Sequence, residues 1–260
     1  MEQHHRHSPL SQEVQPELDS VLQMLHALGR DDGPFLQSVI SALVLAPTDM
    51  LRPTVALLAA HALGRHGDPP LIRFAAALQI VYAASLAHRP SVEDGAGAEH
   101  DHLTVLAGDY LYAQAAMLTA SLEQLTIMSM LSATIMSICR SEASGIDAPV
   151  VPCAADPQTS ADGGLFRLSA AGAAVLCSAE ASLVEALASF GQLLDSIWNR
   201  HAADDPVVLS GRARDALQAL PSGAARQALL DLVDDVLKAD GTPYSPSRAG
   251  ESALSASEPP

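Results

Sequence analysis

Aromatic side chains are scarce in this chain: four Phe, four Tyr and one Trp make up 3% of 260 residues, although 48% are hydrophobic. A core with so few rings has to be built from Ala, Leu, Ile, Val and Met, a composition that favours packed helices over sheet. The expectation is an all-α protein. Lysine is almost absent, with Lys238 alone, and 14 basic side chains face 30 acidic ones for a formal charge of −16. That balance argues against nucleic acid or an anionic membrane as partner, since both reward Lys and Arg. It also leaves few cations for phosphate chemistry. The three cysteines, Cys139, Cys153 and Cys177, are widely spaced and odd in number, which fits reduced thiols rather than a disulfide framework or a zinc site. The uncharged stretch 124–139 is 16 residues long and carries Ser and Thr. A bilayer span needs about 18 to 20 residues, so this stretch reads as a buried helix. The polar, His-rich start, 1–7, has no apolar segment of signal-peptide length behind it, so a cytoplasmic protein is expected.

Helical periodicity recurs over 16–28, 34–45, 53–63, 70–87, 102–121, 122–144, 165–176, 179–199 and 210–238. Pro16, Pro34, Pro53 and Pro70 stand in first turns, where a missing N–H costs nothing, and Gly29, Gly64 and Gly145 are read as C-terminal stops. One domain, 14–240, is expected, forming a single helical bundle. The ends 1–13 and 241–260 are read as disordered tails, the latter rich in Pro and Ser. The Gly- and Pro-rich stretch 145–164 reads as a long surface loop. The run Ile127, Met128, Met130, Leu131, Ile135, Met136 reads as core, with an adaptable helix interface as the other use of such Met-rich faces. His4-His5-Arg6-His7 and Glu99-His100-Asp101-His102 hold ligand types, but neither has the i, i+4 His pairing of helical metal sites.

Four segments stand in an informative order. Leu51-Arg52-Pro53 precedes an apolar helix; Ala83-Ala84-Ser85-Leu86 leads to His88; Val105-Leu106-Ala107-Gly108-Asp109-Tyr110-Leu111 follows; and Leu220-Pro221 with Ala225-Arg226 opens the closing segment. Together they resemble the trans-isoprenyl (polyprenyl) diphosphate synthases over roughly residues 51–240. The resemblance implies the isoprenoid synthase helical bundle, and a reaction in which an allylic diphosphate ionises and joins isopentenyl diphosphate. Expelling diphosphate requires Mg²⁺ held by carboxylates, together with Arg or Lys.

The residues that the resemblance assigns to that task are largely replaced. The first Asp-rich motif falls on 89–93, which reads Arg89, Pro90, Ser91, Val92, Glu93, leaving Glu93 as its only acid. The second is expected at Trp198, Asn199 and Ala202. Thr48-Asp49-Met50 stands where Gly-Lys-Arg is expected, and the later Arg-Arg and Lys-Thr pairs have no counterpart. Arg52, His88 and Asp109 keep family positions and are expected to be substrate-site remnants, with packing or capping roles for Arg52 and Asp109. Electrostatic stabilisation of the leaving group is usually the largest catalytic term, and losing one contributor costs about 2.7–4 kcal/mol. The expectation is therefore a chain inactive alone, holding no metal or cofactor. It would pair with a catalytic subunit that carries Mg²⁺ in a heteromeric polyprenyl diphosphate synthase. The alternatives are a free-standing prenyl-lipid-binding protein, whose channel the small Ala83 and Ala84 would leave open, and a divergent prenyltransferase with ligands relocated to Asp94, Glu99 or Asp101.

Overall fold

The structure is a computed structural model that describes residues 13–30, 33–44, 50–88, 98–147, 164–198 and 205–238. Among the described residues there are ten α-helices, one short 3₁₀ turn and no strand: α1 Gln15–Ala27, α2 Pro34–Val44, α3 Leu51–Ala62, α4 Pro69–Ala87, α5 Ala98–Ala120, α6 Leu125–Asp147, α7 Leu165–Leu176, α8 Ala181–Trp198, α9 Pro206–Ala216, the 3₁₀ turn Leu217–Ala219 and α10 Ala224–Lys238. The expected tails, 1–13 and 241–260, lie outside the described residues, but for residue 13, which stands just ahead of α1.

Three helices form the centre. Every residue of α3 from Arg52 to His61 is buried, as are nearly all of α4 from Leu71 to Ala87 and of α7. Helices that are apolar on every side belong in an interior. These three touch one another, and α1, α2, α5, α6, α8 and α10 pack around them. Small residues let the axes approach closely. Gly172 on α7 receives the Phe74 ring of α4 where a Cβ would stand, and Gly191 on α8 leaves space for the backbone of Phe166 and Arg167. Helix α4 is also long and apolar enough to cross a bilayer, but 83% of that stretch is buried within the protein, as expected for a core helix.

The proline and glycine punctuation mostly holds. Asp68 caps α4 by accepting from the Leu71 N–H at 3.0 Å, with Pro69 and Pro70 behind it, and Gly29 and Gly64 adopt left-handed φ of +72° and +81° past α1 and α3. Three expectations need correction. Gly145 does not stop α6, which continues to Asp147. The segment 210–238 is not one helix: Leu220, ahead of Pro221, is extended at ψ 150°, because proline excludes its predecessor from the α region. The stretch 124–139 is buried on one side only. Ile127, Leu131 and Ile138 face the core, while Leu125 and Met136 face outward, so its Met and Ile run is only partly core.

Candidate functional site

Two places, both bordered by α4, concentrate the residues singled out by sequence. The first lies between α3, α4, α7 and α8. Arg52 enters from the first turn of α3 and has no solvent exposure. Its guanidinium carbon lies 3.5 Å from the ring centre of Tyr82 on α4, 4.8 Å from that of Phe166 on α7, and 5.8 Å from that of Trp198 on α8. Phe166 and Trp198 meet edge to face at 6.1 Å. A desolvated guanidinium over aromatic faces is held by the ring quadrupoles, at about 2 kcal/mol or more. Arg52 is thus a packed cation, surrounded by one Tyr, one Phe and the single Trp of an aromatic-poor chain.

Beside it lies a residue that the sequence reading passed over. Asp195, the only carboxylate in the segment 192–202, precedes Trp198 by three positions and so shares its helix face. It is fully buried, and its two oxygens accept the N–H groups of Phe166 and Arg167, each at 3.3 Å. These are free donors of the first turn of α7, so Asp195 caps that helix from 28 and 29 positions away. Gly164, at φ +82°, turns the chain into the helix without a side-chain cap of its own.

The second place is the C-terminal end of α4. His88 Nδ1 lies 2.8 Å from the Ala84 carbonyl oxygen and Nε2 lies 3.0 Å from Asp109 Oδ1 on α5. The ring stacks on Tyr112 at 5.4 Å and fills the space that a side chain at Gly108 would need. His88 and Asp109 are therefore brought together, away from Arg52. Asp109 stands in the interior of α5, so the expected capping role does not apply to it. Arg89, Pro90, Glu93, Asn199 and Ala202 lie outside the described residues, as do Asp94 and the His4–His7 cluster, and the side chains of Glu99 and Asp101 are likewise outside the description.

The metal implied by the resemblance finds no matching donors in the described part of this site. Asp195 directs both oxygens at backbone N–H groups, Trp198 offers an indole, and no three His, Cys, Asp or Glu side chains among the described residues are grouped to hold an ion. Elsewhere, a tie unsignalled by local sequence joins α1 to α3, where His61 Nε2 lies 2.9 Å from Glu17 Oε1. Arg65 joins Asp68 to the Leu176 carbonyl at the end of α7. Burial pushes the neighbouring Cys177 thiol up, with Arg65 opposing and Asp68 adding to the shift.

No family model matches the chain. In sequence it is 31% identical over 126 residues to an octaprenyl diphosphate synthase of Haemophilus influenzae, a match covering 45% of this chain and only 38% of that protein. In structure it is similar to a decaprenyl diphosphate synthase from Rhodobacter capsulatus, with TM-score 0.77 and 19% identity over 88% of this chain and 97% of that one. A polyprenyl synthase from Caulobacter crescentus, solved with calcium and isoprenyl diphosphate, gives TM-score 0.77 and 17% identity over 88% and 97%. The small subunit of a geranyl diphosphate synthase from Antirrhinum majus gives TM-score 0.70 and 13% identity over 86% and 97%. In fold over 88% of its length this chain is similar to a decaprenyl diphosphate synthase, and in sequence over 126 residues to an octaprenyl diphosphate synthase.

Proposed function

We propose that this chain is a non-catalytic subunit of a heteromeric polyprenyl diphosphate synthase. It docks in the cytosol on a catalytic homologue that carries the Mg²⁺ and the intact motifs, within isoprenoid or quinone side-chain synthesis, and residues 14–240 are the working unit. The carrying observation is a contrast. Where the resemblance expects metal and diphosphate, the chain packs its own Arg52, Tyr82, Phe166 and Trp198, whereas the α5–α6 surface leaves large apolar side chains uncovered.

On that surface Leu106 is 49% exposed, Met117 67%, Leu125 85% and Met136 51%, with Leu103 and Val105 beside them. Among the exposed described residues of the two helices, Asp109 and Arg140 alone carry a full charge. For a chain with a formal charge of −16 this is a marked depletion. Charge-poor, apolar surfaces with Met and aromatic residues are characteristic of the centres of protein interfaces. A neighbour of the same fold is itself a small subunit, which supports the reading. The prenyl-binding alternative has less behind it, since Ala83 and Ala84 are packed without exposure.

Co-expression with a full-motif polyprenyl diphosphate synthase tests the proposal. The two chains are expected to co-purify, and the partner's product length or rate to change. Separate elution with an unaltered partner, or product formation by this chain alone from isopentenyl and allylic diphosphates with Mg²⁺, refutes it.

A further inference from the structure

Among its described side chains the α5 surface carries one carboxylate, and its setting says more about the partner than the apolar residues do. The exposed positions Leu106, Asp109, Ala113, Met117 and Ala120 recur every three or four residues and so form one stripe along the helix. Four of the five are apolar. Asp109 interrupts them with a side chain 65% exposed.

The carboxylate is also aimed. The imidazole beside it is held by the Ala84 carbonyl, by the Tyr112 ring and by the gap at Gly108. A carbonyl only accepts, so Nδ1 donates to Ala84, which sets Nε2 facing Oδ1 of Asp109 at 3.0 Å, where it donates to the carboxylate when it too carries a hydrogen. Among the described residues, Asp109 and Tyr112 are the titratable groups set against this ring, and α2, which packs on both α4 and α5, has no charged residue. The result is a carboxylate presented in a set direction within a stripe suited to burial.

Covering that stripe desolvates Asp109. Burial of a carboxylate is costly unless a cation or several donors meet it. A second copy of this chain is poorly equipped to do so. It brings a formal charge of −16, and the one basic side chain at the exposed described positions of its α5 and α6, Arg140, is already engaged within the chain.

We propose that Asp109, oriented by His88, makes this surface select a partner whose apolar helical face bears an Arg or Lys opposite it, in preference to a second copy of this chain. The inference rests on the docking reading above and adds the chemistry of the partner. Specificity of this kind is a difference between two affinities, so both have to be measured.

The experiment measures binding of the full chain to a co-expressed full-motif polyprenyl diphosphate synthase at low and physiological salt. Self-association of the chain alone is followed by sedimentation. Wild type, Asp109→Asn and Met117→Glu are compared, each with its melting temperature checked. Asp109→Asn is expected to weaken the mixed complex about tenfold or more and to flatten its salt dependence, while increasing self-association. Met117→Glu is expected to disrupt the mixed complex whatever the salt. Unchanged affinity and salt dependence in Asp109→Asn, with Met117→Glu still disruptive, overturns the role of Asp109 and leaves the docking reading standing. An Asp109→Asn effect with Met117→Glu silent removes the stripe as the docking face and overturns the inference. Failure of the wild-type chain to bind any such synthase overturns both.

Discussion

Helix α3 and helix α6 have similarly apolar sequences and opposite surroundings. From Arg52 to His61 every residue of α3 is buried, and even its cation is enclosed by rings. Along α6, by contrast, Ile127, Leu131 and Ile138 are covered while Leu125 and Met136 are left in solvent. The centre of the protein encloses its apolar side chains; the α5–α6 flank leaves large ones in solvent. Hydrophobicity alone does not separate these cases, because both helices pass as core by composition. What separates them is whether the apolar residues surround the helix or leave a second stripe unmatched.

The largest effect expected from breaking this contrast is at the centre. Phe166→Ala removes a fully buried ring that touches Arg52 and Trp198, and is expected to cost about 3–5 kcal/mol in denaturant unfolding. A cost below that of an ordinary surface substitution would show that the stack is loosely packed. Next comes Arg52→Lys. It keeps the charge but loses the planar guanidinium, and is expected to destabilise by about 2 kcal/mol. Trp198 is the only tryptophan, so its emission should change in the same variant; a silent emission spectrum would contradict the stack.

The flank should behave in the reverse manner. Met117→Gln with Leu125→Gln is expected to alter the stability of the isolated chain by no more than about 0.5 kcal/mol per site, the usual range for surface changes, while weakening capture by a catalytic partner. A large loss of stability would mean that these side chains are already packed. The smallest effect concerns thiols. Exposed Cys139 should alkylate faster than Cys177, whose proton is held by burial, and partner docking should slow Cys139 selectively in peptide mapping. Because the folded chain binds the Cys177 proton more tightly than the unfolded chain, its contribution to stability is full below the ordinary thiol range and is lost as pH rises from there through the raised value of the folded chain.

Much of the fold could be read from local signals. The segment 165–176 coincides with α7, and the Asp68-Pro69-Pro70 start of α4 is punctuated as its capping chemistry requires. The errors have different sources. Gly145 carries a stop signal, but α6 runs past it. Leu220-Pro221 was visible as a motif, yet its break in the closing helices is a matter of backbone sterics that periodicity overlooks. At the site, the resemblance pointed to Arg52, His88, Asp109 and Trp198, and the structure sorts them into two separate clusters. Asp195 went unnoticed because its partners, Phe166 and Arg167, lie far away in sequence and pair through backbone N–H groups, which no residue pattern records. A carboxylate standing alone on the face of Trp198 was the one available sign.

The central trio has a consequence for how the chain is made. Helices α3 and α4 are complete early, but α7, whose Gly172 accepts Phe74 and whose Phe166 closes over Arg52, leaves the ribosome about 80 residues later, a delay of roughly 4–16 s at ~5–20 residues per second. During that interval two helices with apolar residues on every side wait without their third member. The nascent chain is therefore most in need of chaperone protection between the synthesis of Ala87 and that of Leu176.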